Sequence, residues 1–341
     1  MDFQKNHAAN FAILCLLFLG LLYVFVWTPS LDKPFFPFQN YQCRSSTSKM
    51  MESGDNHTNE LERALSKASM ADKTVILAMI NKAYVDGDKT MLDLFLDGFW
   101  LGEGTRGLLD HLLLVAVDQT SLERCKFLHL HCYKLETEGV DFSGEKMYLS
   151  EDFMKMMWRR TLFLGEVLKK GYNFVFTDID IMWLRNPFPR LTLNQSVDLQ
   201  ISTDDFNGDE WSESNHINTG FYMIKSNNKT IQLFGMWYAQ RNNSNGLKEQ
   251  DVLDGMQKDG VFRDLGVKAR FLDSLYFSGF CKESKDFEVV TTVHATCCRS
   301  IHAKVADLTV VLHDWLRFKN SPTNETSTFQ WSSHTACMHS W

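Results

Sequence analysis

Asp178 and Asp180 stand two residues apart at the end of an apolar run, in the segment Phe174-Val175-Phe176-Thr177-Asp178-Ile179-Asp180-Ile181-Met182-Trp183. In an extended chain, residues two apart project to the same side. Two carboxylates on one side suit a hard divalent cation that keeps positions open for diphosphate oxygens, and such a cation offsets charge growing on a phosphate leaving group. A bare Asp-x-Asp recurs by chance, and surface acids are most often merely solvated. Context lifts this pair above that reading. Apolar residues on both sides place the acids at the end of a buried strand, and Asn186-Pro187 turns the chain soon afterwards.

The elements that must carry these acids follow from hydrophobic patterning. Short apolar runs alternate with amphipathic segments from about Ala71 onward, the pattern of an α/β domain with a mainly parallel central sheet. Strands are expected at Thr74–Ile80, Leu112–Val117, Leu128–Tyr133, Phe174–Phe176, Asp198–Ser202, Gly220–Ile224 and Leu308–Leu312. A helix is expected from Glu151 to Lys170, because Phe153, Met156, Met157, Leu164, Val167 and Leu168 keep helical spacing between leading acids and a closing Lys-Lys-Gly. Thr120 and Glu123 offer a capping box for the helix before the third strand. Asn81, Asp118 and Asp178 each follow an expected strand, and ligands of open α/β sheets bind beyond strand carboxyl ends, so these residues are candidates to line one crevice. The plainer reading of any one of them is a strand leaving into a polar loop.

The 341 residues are 44% apolar, enough for a large core, and 42 acidic against 35 basic residues give a formal charge of −7, which offers no footprint for nucleic acid. Phe11 to Trp27 is an unbroken apolar run that nearly crosses a bilayer, and it ends without a small-residue cleavage site. The expected organisation is a short cytoplasmic tail (1–10), a transmembrane signal anchor (11–27), a Pro- and Ser-rich stem (28–71) and a lumenal catalytic domain (72–341). Five Asn-x-Ser/Thr sequons, at Asn56, Asn194, Asn228, Asn242 and Asn324, all follow the span. Apart from Cys15 in the span, the cysteines number seven, so a lumenal domain leaves at least one without an intrachain partner.

The long segment Phe176 to Phe188, reading FTDIDIMWLRNPF, resembles the donor-binding signature of the plant nucleotide-diphospho-sugar transferases of glycosyltransferase family 77. Thr74 to Leu77, His216 to Phe221 (HINTGF), Lys248 to Leu253 (KEQDVL) and Val293 to Cys298 (VHATCC) match in the same order, so the resemblance runs from about Ala71 to Phe318. It implies a GT-A fold, a UDP-sugar donor, Mn2+ or Mg2+ on Asp178 and Asp180, retention of anomeric configuration and residence as a single-pass type II protein of the Golgi membrane. The implied acceptor is a cell-wall glycan or glycoprotein, and the implied donor sugar a pentose or galactose. Asn218, Thr219 and Gly220 match the loop near the donor sugar, and Gln250 and Asp251 the catalytic pair near the transferred sugar. Their plainer roles are a strand entry and a solvated helix turn. His294 offers a third metal ligand, with His302 and His313 as rivals, and Lys304 is a candidate to neutralise the diphosphate, with an exposed lysine as its default.

Other signals carry less. Gly102 to Gly107 spells G-x-G-x-x-G but follows a helical stretch, Met91 to Leu101, where a dinucleotide fingerprint needs a strand. Cys125, His129, His131 and Cys132 match no familiar zinc spacing, and a Cys125–Cys132 disulfide suits a lumenal domain better. Two alternatives stand beside the transferase. A haloacid dehalogenase-type phosphohydrolase also places Asp-x-Asp after an apolar strand, and a catalytically silent glycan-binding protein can share the fold.

Overall fold

Seven strands run side by side in the order β3-β2-β1-β4-β7-β6-β8: β1 (Thr74–Ile80), β2 (Leu112–Ala116), β3 (His131–Lys134), β4 (Asn173–Thr177), β6 (Leu199–Thr203), β7 (Ile217–Ile224) and β8 (Ala269–Leu272). All are parallel except β7, which runs against both β4 and β6. A small second sheet, ordered β5-β10-β9, is made of β5 (Ile181–Trp183), β9 (Phe277–Gly279) and β10 (Thr292–His294). The structure, a computed structural model, describes residues 53–244, 246–322 and 329–340. The expected tail, signal anchor and most of the stem lie outside these residues, as does Cys43. Among the described residues no helix is long and apolar enough to cross a membrane.

The parallel strands are buried on both faces, which is why they read as continuous apolar runs with no alternation. Helices α1 (Ser53–Ala68), α5 (Glu151–Lys169), α6 (Asn228–Ala239) and α7 (Glu249–Lys258) share one apolar core with one face. On the other face lie α3 (Met91–Leu101) and α9 (Ile301–Asn320), packed with the second sheet. The sheet folds outward from β1 in both directions, so its switch point lies between β1 and β4, where a crevice opens beyond the strand ends.

The helix expected over 151–170 is α5, capped by Ser150, whose side chain accepts from the Phe153 amide. Three expectations need correcting. The run Leu308–Leu312 lies inside α9, where burial of Ala303, Asp307, Leu308, Val311, Leu312, Trp315 and Phe318 follows helical spacing, so β-branched residues here pack one helix stripe. The cap of α4 (Gln119–Phe127) is Asp118, whose carboxylate accepts from the Ser121 amide, and Thr120 lies already inside the helix. Packing begins before Ala71, because α1 buries Leu61, Leu65 and Ala68 in the core with β1 and β2. Those three residues are a single i, i+4, i+7 stripe in an otherwise polar sequence.

The first glycine of the G-x-G-x-x-G match serves packing. A Cβ on Gly102 would fall 2.6 Å from the carbonyl oxygen of Trp183, so this glycine lets the end of α3 close onto β5. Three disulfides join Cys125 to Cys132, Cys281 to Cys297 and Cys298 to Cys337. The last bridge ties the C-terminal segment to the mouth of α9, whose buried Asp307 and Asp314 accept from the amides of Cys337 (2.8 Å) and Ser332 (2.7 Å).

Candidate active site

The chain leaves β4 at Thr177 and enters β5 at Ile181, so Asp178 and Asp180 lie in the tight link between the two sheets. The Asp178 amide donates to the carbonyl of Gly220 at 2.7 Å, which extends the β4–β7 ladder by one bond. On the other side, Ile181 pairs with His294 in the β5–β10 register, and the Ala295 amide donates to the Asp180 carbonyl at 3.1 Å. Backbone pairing on both flanks thus brings three side chains together. The ligand atoms of Asp178, Asp180 and His294 lie within 4.8 Å of one another, with His294 Nε2 3.3 Å from Asp180 Oδ1.

Two cations brace this cluster. Lys304, in the first turn of α9, puts Nζ 2.6 Å from Asp180 Oδ2, and Arg160 of α5 donates from Nη1 to Asp178 Oδ1 at 2.7 Å. Burial alone would raise the Asp180 carboxyl, but Lys304 and His294 outweigh it and hold it well below the usual carboxylate range. For Asp178 burial wins over Arg160, and its pKa is raised. Burial opposes charge on His294, yet the Asp180 carboxylate lifts its pKa above the ordinary value.

Arg160 reaches further. Its Nη2 donates to Glu249 Oε1 at 2.7 Å, so one guanidinium links the Asp178 side of the cleft to the first turn of α7. Glu249 is almost wholly buried and also accepts from the Thr219 hydroxyl at 3.1 Å, while its Oε2 has no partner. Beside it, Gln250 Oε1 accepts from the Thr219 amide at 3.0 Å. Asn218 donates from Nδ2 to Asp204 at 2.7 Å and accepts the Gly220 amide at 2.9 Å. These groups and the acid cluster line a single cleft of about 350 Å3. Asn81 and Tyr84 line the same cleft, and burial is the chief cause that pushes the Tyr84 phenol up to about 12.

The structure brings together most of the residues singled out from sequence. Asn81, Asp178, Asp180, Asn218, Thr219, Gln250 and His294 all line the cleft, and Gly220 lies against it. Asn81 donates to the carbonyls of Phe142 and Gly144, which leaves its buried Oδ1 unpartnered and available. Two candidates fall outside. Asp118 spends both carboxylate oxygens on backbone amides, Ser121 at 2.8 Å and Lys82 at 2.6 Å, as a helix cap must. The Asp251 side chain is 42% exposed, pairs with Lys248 at 3.7 Å and is no part of the lining, because along α7 it is rotated about 100° from Gln250 and about 200° from Glu249. His302 and His313 are exposed on α9, so His294 alone joins the acids.

Arg160 and Glu249 are the contributors that sequence reasoning passed over, and Lys304, expected by default to be exposed, pairs with Asp180. Arg160 had a signal: it interrupts the apolar face of α5 at the position between Met157 and Leu164, where a buried charge needs partners. Glu249 stood next to residues already chosen, within KEQDVL.

The fit of these residues to a divalent cation is good. Two carboxylates and one imidazole nitrogen converge with an open side toward the cleft, a donor set that suits Mn2+ or Mg2+. Gly220 makes the convergence possible, since a Cβ there would fall 2.4 Å from His294 Cε1 and 3.0 Å from Asp178 Oδ2. A mainly parallel α/β sheet with one reversed strand, carrying Asp-x-Asp from its central strand into a second small sheet beside a polar cleft, is the architecture of a GT-A-type sugar-nucleotide domain.

Comparison with known proteins agrees. Residues 107–308 match the model of the nucleotide-diphospho-sugar transferase family, and the chain belongs to that family; it is a glycosyltransferase. It is 49% identical to an uncharacterised protein of Arabidopsis thaliana over 100% of this chain and 97% of that one. It is also 27% identical to a UDP-D-xylose:L-fucose alpha-1,3-D-xylosyltransferase of Arabidopsis thaliana, over 52% of this chain and 45% of the relative. Among solved structures, the galactosyltransferase LgtC in complex with donor and acceptor sugar analogs aligns at 13% identity and a TM-score of 0.43, over 74% of this chain and 98–99% of that one. Family membership removes the phosphohydrolase alternative.

Proposed function

We propose that the cleft binds a UDP-sugar together with a divalent cation and transfers a pentose or galactose, with retained anomeric configuration, to a hydroxyl of a cell-wall glycan or glycoprotein. The observation that carries this reading is the convergence of Asp178, Asp180 and His294 in a cleft also lined by Asn81, Tyr84, Glu249 and Gln250. In this reading Asn81 and Tyr84 take the nucleoside, and Glu249 and Gln250 the transferred sugar. Mn2+ or Mg2+, held by the three central ligands, supplies charge to the departing diphosphate.

Glu249 and Gln250 orient the sugar, and Arg160 holds Glu249 in place beside it while fixing Asp178. In the transfer, the acceptor oxygen bonds to the anomeric carbon, the bond from that carbon to the diphosphate breaks, and the acceptor proton passes to the leaving phosphate. The xylosyl donor named for the Arabidopsis relative supports a pentose. A single-pass type II protein of the Golgi membrane, with this domain in the lumen, is in keeping with three disulfides and with exposed sequon residues Asn194, Asn228 and Asn242.

Calorimetric titration of UDP-xylose, UDP-arabinose and UDP-galactose with and without Mn2+, beside NMR of the product's anomeric configuration, tests the donor half. Binding that ignores both Mn2+ and chelator overturns the metal assignment, and binding without any transfer to a wall-glycan panel leaves a glycan-binding protein in its place. Endoglycosidase treatment of membrane-expressed protein tests the topology, and an unchanged mass reverses it.

A further inference from the structure

Beyond the cleft lies a second hollow of about 400 Å3, lined by Phe280, Cys297, Ser333, His334, Cys337 and Met338. It adjoins the donor cleft through a ridge of two disulfides. Cys297 lines both spaces, and its partner Cys281 lines the cleft. Cys337 lines the hollow, while its partner Cys298 lines the cleft. Covalent bridges across a shared wall fix the two spaces relative to each other. The ridge stands beside the proposed metal centre, since His294 and Thr296 of the same segment line the cleft together with Cys297 and Cys298.

The chemistry of the hollow is that of a sugar seat. The Phe280 ring and the His334 imidazole stack face to face, 3.7 Å apart with 15° between their planes, so each covers one face of the other and an outer face of the stack is what meets the C–H face of a pyranose or furanose. His334 Nε2 lies 2.7 Å from Glu283 Oε1, and its Nδ1 has no partner. Ser333 adds a hydroxyl, and the exposed Met338 side chain adds an adaptable apolar edge. No lysine or arginine lines the hollow among the described residues, so a uronate or phosphate would surrender hydration there without a counter-charge.

From this we infer that the hollow is the acceptor subsite and that its occupant is a neutral saccharide, whose reacting hydroxyl passes the Cys281–Cys297 bridge toward Gln250. The inference rests on the transferase reading above, and its test separates the two. Mn2+-dependent UDP-sugar binding and slow UDP-sugar hydrolysis without acceptor report the donor half alone. Transfer to methyl L-fucoside, methyl L-arabinofuranoside, methyl galactoside and methyl galacturonide reports the acceptor half.

Met338→Lys changes a side chain that is 59% exposed, so folding is unaffected while a long cation enters the hollow. Phe280→Ala removes one ring of the stack. Both variants are expected to raise the KM for the best neutral glycoside about two- to tenfold, on the scale of one stacking contact, with donor affinity and donor hydrolysis unchanged. Unchanged acceptor KM in both variants overturns the inference, as does preference for the galacturonide, or donor hydrolysis with none of the four glycosides accepted. A wild type that neither binds nor hydrolyses any UDP-sugar defeats the transferase reading itself.

Discussion

Gly220→Ala tests the central geometry with one methyl group. The residue lies in the middle of β7, opposite the register shift between Ile201 and Ser202 of β6, and its φ is not positive, so the obstacle to a side chain is space and not backbone conformation. A Cβ would fall 2.4 Å from His294 Cε1, 2.9 Å from Asn218 Oδ1 and 3.0 Å from Asp178 Oδ2, two of which belong to the three proposed ligands. Relief requires His294 to leave Asp180 or Asp178 to turn off its bond to Arg160. Overpacking of this kind costs about 1–3 kcal/mol. If the cost falls on the ligand geometry, Mn2+ affinity drops by about 5- to 150-fold. The control is Gly235→Ala, in α6, where a Cβ meets nothing within 4 Å and the exchange should stabilise the helix by roughly 0.5–1 kcal/mol. Titration of Mn2+ in the presence of UDP, with a thermal unfolding curve for each variant, gives both numbers. Wild-type Mn2+ affinity in Gly220→Ala would refute the reasoning whatever its melting temperature.

Glu249→Gln should cut turnover by at least tenfold and destabilise the fold, because Arg160 loses an anionic partner in a buried site; Asp251→Asn, outside the cleft, should leave single-turnover transfer unchanged. A chain starting at Ala71 should melt well below one starting at Ser53, since Leu65 alone is fully buried and its loss is worth about 2–5 kcal/mol. Glu103 accepts from Arg185 at 2.8 Å; burial would raise its carboxyl, but Lys319 and Arg185 outweigh this and lower it. A depressed carboxyl stabilises above its unfolded value and loses that contribution as pH falls through the folded one. The stability gap between wild type and Glu103→Gln should therefore be open at pH 7 and close below about pH 4, as urea midpoints across that range would show.

What could be read from the sequence was what has a period or a local rule. The buried strands β1, β2, β4 and β7 announced themselves as apolar runs, and α5 by its stripe and its leading acids. The Asp-x-Asp pair was legible because strand ends aim at a crevice. The strands β5, β9 and β10 were not, since three residues give no periodicity and β5 finds its partner β10 only more than a hundred residues later. Glu249 and Asp251 show the limit of motif reading. Both acids sit in one short segment, and only the rotation of the helix decides which of them faces the cleft. Lys304 looked like a solvated lysine because nothing local betrays an acid 124 residues away.

The adjacent cysteines have a consequence for synthesis. Cys281 leaves the ribosome before Cys297 and Cys298, and either of them can reach it; the correct partner of Cys298 follows only 39 residues later. At ordinary elongation rates that interval lasts some seconds, during which the Cys298 thiol waits beside a freshly made bridge that it can attack. A chain stopped short of Cys337 never resolves this choice. Its failure would appear as shuffled bridges along one wall of the cleft, a defect curable by a disulfide isomerase only when the last dozen residues have been supplied.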